Sequence, residues 1–216
     1  DQVYFTVARM SEEKIPVQAT EEDLNLVTSF VAIDHPELYW FSGRCTYYYS
    51  TEEDGTRTYT DIVPIYDFTR DQVLADLPII EAYAEDCLRG LEHLGEFEQV
   101  KAVYEYIINN TFYDLDYYGQ SIHEIITKHR GVCASYAETT QFLLQRLGFE
   151  CFVVSGGDHA WNIVKVEGDY YQLDTTWGDP VVDRIEDSVL GYNYFLVTSQ
   201  EMYRDHTLDS TFPVPN

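Results

Sequence analysis

In the second half of this chain the apolar residues change their period at Gly148. Before it, Val100, Tyr104, Ile107 and Ile108 recur at three- and four-residue steps from Phe97 to about Asn109, the spacing of one buried helix face. A short helical piece follows at 122–128. A further helix runs from Cys133 to Leu147, closed by Gly148. After Gly148 the pattern alternates over 150–155, 159–167, 170–176 and 192–198, as strands do. Helices first and strands after predict an α+β fold, a helix packed on an antiparallel sheet, and not alternating parallel α/β units. At 216 residues the chain holds one large domain or two small ones.

The first half is less regular. Residues 1–20 read as irregular and polar. Thr20, ahead of Glu22 and Asp23, predicts a capped helix over 21–32, stopped by His35-Pro36. Aromatic and β-prone runs at 39–51 and 56–65 flank a turn at Glu52–Gly55 and read as a hairpin. Val73, Leu77, Ile80, Ala84 and Leu88 predict a helix over 69–90, with Pro78 set to kink it. No Gly/Ser/Pro linker lies near residue 95. Residues 1–95 are therefore expected to form an N-terminal α/β extension (helix, β-hairpin, helix) packed against a second domain at 96–216.

Charge removes several classes of function. Thirteen Lys+Arg against 38 Asp+Glu give a net charge of −25. Phosphate recognition needs clustered Lys and Arg, so nucleic acid is excluded as a partner, and an anionic membrane surface repels the chain. A cationic partner or an amine suits this charge, as does a plain acidic, soluble surface. No run approaches the ~20 apolar residues of a membrane span, so no membrane insertion is expected. The chain begins at Asp1 without initiator Met or signal peptide, as a trimmed or a mature secreted chain does. Low Lys and 19 Tyr point to an extracytoplasmic, secreted or cell-surface protein. Cys45, Cys87, Cys133 and Cys151 are too few for a disulfide scaffold and contain no CxxC pair. The acidic stretches lack calcium-loop spacing. No metal or cofactor is expected.

Three segments carry chemistry. In Arg130-Gly131-Val132-Cys133-Ala134-Ser135, a glycine turn puts Cys133 in the first turn of a helix. Unpaired N–H groups and the positive helix end there favour thiolate and can stabilise an oxyanion. In Gly156-Gly157-Asp158-His159-Ala160-Trp161-Asn162, His159 opens a strand. A two-residue loop at Glu167-Gly168 pairs Val166 with Asp169, which puts His159, Trp161, Asp174 and Thr176 on one face, with Asp174 diagonal to His159. A nucleophile, a base and a group orienting the base is the logic of a Cys-His-Asp triad. His35, His93, His123, His129 and His206 have no partner pattern and read as surface or satisfied residues. A zinc site on Cys133 and His159 lacks two further ligands.

Gly-Val-Cys-Ala-Ser-Tyr-Ala at 131–137, His-Ala-Trp-Asn at 159–162 and Asp-Thr-Thr-Trp at 174–177 resemble, in order and spacing, the three motifs of the transglutaminase-like superfamily. Bacterial transglutaminase-like domains of the papain-like cysteine-enzyme group are the nearest likeness. The resemblance covers roughly 97–200. It implies a Cys-bearing helix on an antiparallel sheet that carries the His and the Asp, with Cys133 as nucleophile, His159 as base and Asp174 as orienting acid. It also implies a second oxyanion donor upstream of the cysteine, Tyr113 ahead of Gln120. Trp161 and Trp177 either wall a substrate groove or pack the core. The family includes peptidases, amidases and inactive members, so fold alone does not choose the reaction. The expectation is acyl transfer through a thioester on a protein, peptide or amide-bearing substrate. Hydrolysis is favoured over transfer to an amine co-substrate. The alternative is a non-catalytic protein- or peptide-binding module.

Overall fold

A computed structural model describes residues 1–116, 119–179 and 190–209. The chain divides into two units, Asp1–Asp76 and Leu77–Asn216. The division falls inside one helix and not near residue 95. The second half of that helix explains the position: Glu81 receives both Arg146 guanidinium bonds (2.6 and 2.7 Å), and Tyr83 packs edge-on against Tyr106 at 5.2 Å.

In the first unit, residues 1–20 are more ordered than their polarity suggests. Helix α1 (Gln2–Ala8) buries Val3 and Val7, one turn apart, and β1 (Ile15–Pro16) adds a third strand to the expected hairpin. Helix α2 (Glu21–Asp34) starts where Thr20 accepts the Asp23 N–H at 3.1 Å, and it ends before Pro36. Strands β2 (Cys45–Thr51) and β3 (Arg57–Pro64) pair antiparallel, in the sheet order β1-β3-β2. The strand expected from residue 39 starts only at Cys45. Leu38, Tyr39, Trp40 and Phe41 are instead buried in a turn, and Gly43 takes a left-handed φ of +82°.

Helix α3 (Arg70–Leu88) contains Pro78 without a break and is followed by Gly90, also left-handed at φ +80°. The second unit continues with α4 (Glu96–Asn109), which buries Val100, Val103, Tyr104, Ile107 and Ile108. Strand β4 (Phe112–Tyr113), α5 (Ile122–Lys128) and β5 (Arg130–Gly131) follow. The pairing of β4 with β5 is parallel, Tyr113 opposite Gly131. Helix α6 (Cys133–Arg146) is central. Its buried residues run from Ser135 to Leu144, broken only at Glu138, far wider than a single stripe. It packs on the antiparallel sheet β6 (Cys151–Gly156), β7 (His159–Val166), β8 (Asp169–Leu173), in the order β6-β7-β8. Asn162 of β7 is turned to the helix and donates to the Ala137 carbonyl at 2.9 Å. The architecture is α+β.

The strand expected at 192–198 does not form. A Tyr192–Phe195 turn and a left-handed Leu196 (φ +50°) interrupt it, leaving one antiparallel bridge, Gln172 to Val197. After the short helix α7 (Ser199–Met202), the chain returns beside β6, where the Asp209 N–H bonds to the Ser155 carbonyl at 2.8 Å. Gly156 makes this return possible. A Cβ there meets the Thr207 carbonyl oxygen at 1.7 Å and the Asp209 nitrogen at 2.8 Å. Gly156→Ala is accordingly expected to lower stability by about 1–3 kcal/mol, because backbone and not a movable side chain must give way. A denaturation midpoint equal to that of the unsubstituted protein contradicts this. Among the described residues, no helix is long and apolar enough to cross a membrane.

Candidate active site

Cys133 opens α6 behind Val132, whose side chain cannot cap a helix. No N-cap side chain therefore occupies the first-turn N–H groups. Burial alone pushes the Cys133 thiol up. The hydrogen-bonded His159 ring, its charge, and the backbone N–H groups of Ala160 and Ala134 outweigh burial and hold the thiol below its ordinary value. The other cysteines go the opposite way. Burial pushes Cys45 up to about 11, Cys87 up to about 12, and Cys151 upward as well. All four cysteines are free thiols.

His159 begins β7. Its Nε2–H donates to Asp174 Oδ2 at 2.7 Å, and the ring is hydrogen-bonded to Cys133. Burial lowers its affinity for a proton, but the bonds to Asp174 and Cys133 prevail and raise it to about 9. The hairpin register is the expected one. Val166 faces Asp169 and Asn162 faces Leu173, so the next step sets Trp161 against Asp174. The ladder nevertheless ends at Leu173, three residues early. Asp174 turns the chain with its other oxygen, Oδ1, which accepts the Trp177 N–H at 3.0 Å. The carboxylate is fully buried. Burial favours its neutral form, but the bonds from His159, His206 and Trp177 N–H keep it below the usual range.

His206 is the residue that sequence reasoning missed. It is neither exposed nor remote. Its Nε2 lies 2.9 Å from the same Asp174 Oδ2, and its Nδ1 lies 2.9 Å from Asp205 Oδ1. It sits in a turn after α7, 32 residues beyond Asp174, with no periodicity to mark it. The ligand atoms of His159, Asp174 and His206 lie within 4.8 Å of one another. Both imidazoles are already bonded to one carboxylate oxygen, so the cluster is complete as a hydrogen-bond chain.

The remaining expected residues separate. The β4–β5 pairing brings Tyr113 to the start of α6, where its hydroxyl oxygen accepts the Cys133 N–H; burial first, then the nearby thiol, pushes it up. Gln120 is exposed and lines a cleft of about 620 Å³ together with Cys133, His159, Gly156, Asp158 and Asp209. Trp161 is no groove wall. It is 1% exposed, donates from Nε1 to Gln172 Oε1 at 2.7 Å, and packs with Val154, Ile163 and Met202. Trp177 is 45% exposed, its ring 5.4 Å from that of His159 and 4.2 Å from that of His206.

Residues 81–175 match the family model described as the transglutaminase-like superfamily. Human kyphoscoliosis peptidase is 27% identical over 140 residues, 53% of this chain and 21% of that protein, so the chain spans about a fifth of that relative's length. Among solved structures, one described as a TGase aligns with TM-score 0.44 and 14% identity, over 76% of this chain and 51% of that one. A cysteine-protease candidate from Cytophaga hutchinsonii aligns with TM-score 0.39 and 15% identity, over 75% and 69%. The matched segment runs from the second half of α3 through Cys133 and His159 to just past Asp174, and over that segment the chain is similar to the transglutaminase-like superfamily.

Proposed function

We propose that this protein is a cysteine acyl-transfer enzyme acting on peptide or amide bonds through a thioester, with Cys133 as nucleophile, His159 as proton carrier and Asp174 as its orienting group. The observation that carries the reading is one continuous hydrogen-bond chain, Cys133 to His159 to Asp174, at an uncapped helix N-terminus. The Cys133 thiolate attacks the carbonyl carbon. The Tyr113 hydroxyl, whose oxygen accepts the Cys133 N–H, turns its own proton toward the oxyanion. Gln120 on the cleft wall is the alternative donor. His159 protonates the departing amine, leaving a thioester on Cys133. It then takes a proton from water or from an amine, and the attack of that nucleophile frees the enzyme. Hydrolysis is the favoured branch, in line with the peptidase name of the human relative. A net charge of −25 also favours cationic or amine-bearing substrates.

The test is intact-protein mass spectrometry with an amide-bearing peptide, with and without a free amine. An adduct at Cys133 together with cleaved peptide supports hydrolysis. A peptide–amine conjugate moves the reading to transfer. Neither adduct nor product leaves a binding module as the better description.

Reactivity separates the four thiols. With Cys133 held low and the other three raised, iodoacetamide near pH 7 is expected to label Cys133 first, at least tenfold faster. Peptide mapping after a brief pulse reads this, and equal labelling of Cys45 counts against activation. The pH dependence has a definite sign. Below the depressed value of Cys133 the thiol is protonated and turnover is lost. Above about pH 9 His159 loses the proton that the leaving group needs. Turnover is expected to fall on both sides of this window.

A further inference from the structure

We propose that His206 is a second imidazole positioned on Asp174, and that its cationic form sets how strongly Asp174 holds the proton on His159. The inference rests on the Cys133–His159–Asp174 reading and extends it by one residue. Both His206 nitrogens face carboxylate oxygens at 2.9 Å, Asp174 Oδ2 on one side and Asp205 Oδ1 on the other. A carboxylate only accepts, so both bonds form together only when both nitrogens carry hydrogen, that is, in the imidazolium. The ring is 1% exposed. Trp177 at 4.2 Å and Trp161 and Tyr194 at 5.1 Å enclose it.

The geometry makes Asp174 a shared acceptor. One oxygen serves His159 and His206, while the other is committed to the Trp177 N–H. The His159 and His206 rings lie 5.4 Å apart. A fixed cation at that distance opposes a second charge on His159 and takes part of the carboxylate's acceptor capacity. Other groups face the pair as well. Cys133 meets His159 from α6. Tyr113 from β4 and Tyr104 from α4 act on Cys133 and Asp174. The Tyr194 hydroxyl donates to Asp205 at 2.6 Å. Burial disfavours charge on His206, but its bonds to the two carboxylates raise its proton affinity, with His159 opposing.

Removing the cation should therefore tighten the hold of Asp174 on His159. The experiment follows iodoacetamide alkylation of Cys133 against pH in the full chain. His206→Gln puts an amide donor near the Nε2 position without charge. Asp205→Asn, at a side chain 45% exposed, removes one of the two carboxylates that keep His206 charged and leaves the buried ring in place. The step that marks loss of the His159 proton is expected to move to higher pH in both variants. The expected size is on the order of one pH unit for His206→Gln and less for Asp205→Asn. A purely structural His206 changes stability and moves neither step. If His206→Gln does not fold, Asp205→Asn decides alone. A reactive Cys133 whose step stays put, or moves down, overturns this inference alone. A Cys133 no more reactive than an ordinary thiol overturns the nucleophile reading and this inference with it.

Discussion

Cys133→Ala is expected to fold normally and to turn over nothing: a loss of about 10⁶-fold, down to what a bound but unattacked amide shows. The side chain is small and partly buried at the first position of α6, so alanine leaves the core intact and a stability change within about 1 kcal/mol is anticipated. One change should remain visible. His159 owes part of its raised proton affinity, about 9, to Cys133. The stability gained from that shift is fully present below the unfolded value, about 6.5, and is lost as pH rises through the folded value. Without the thiolate the folded value drops, so the stability at stake should be smaller and its loss complete at lower pH. Thermal melts of both proteins between pH 6 and 10 measure it, and superimposable melts argue that Cys133 and His159 are not coupled.

Asp174→Asn is expected to cost on the order of 10⁴-fold in turnover. The carboxylate accepts from His159, His206 and the Trp177 N–H at once. An amide has one oxygen and a donor in place of the second, so at least one of the three loses its acceptor, and His159 can settle into the wrong tautomer. His159→Ala should be at least as severe. The double variant should be scarcely worse than His159→Ala, because the two residues act through one proton. Rates should be compared below each variant's melting point, since removing a buried charge from its partners can lower stability by about 3–5 kcal/mol. Additive losses, or an Asp174→Asn protein at near full rate, mean that His159 is oriented by another group. Asn162 is then the nearest group to test: its amide nitrogen donates to the Ala137 and Phe152 carbonyls, and its buried Oδ1 has no hydrogen-bond partner among the described residues.

What could be read from the residues was what repeats or what sits at a boundary. The helices at 96–109, 122–128 and 133–146 follow from spacing and from glycine stops, and the His159–Asp174 register follows from a two-residue loop and period-two parity. Short elements escaped. The two-residue strands β4 and β5 have no periodicity, yet they carry Tyr113 to the Cys133 N–H. Helix α1 escaped because two valines in seven residues give little pattern. Trp161 was ambiguous because one parity rule places it on the face of His159, and only packing shows that this stretch of the face is covered. His206 could not be found by any local rule. Its meaning depends on a chain return that Gly156 permits and that no spacing encodes.

That return also decides where the unit can be cut or grafted. The family match stops at residue 175. Yet the Asp174 N–H bonds to the Tyr194 carbonyl at 3.0 Å, and Gln172 exchanges backbone bonds with Val197. Met202 seals Trp161 and Ile163, and Asp209 closes on Ser155. A fragment ended at the motif boundary keeps the three signature residues, but it strips the cover from a tryptophan and leaves Asp174 with an orphaned amide. The smallest transplantable piece therefore extends to at least Asp209. Chimeras that exchange only the motif-bearing stretch between relatives will join a site to the wrong lid.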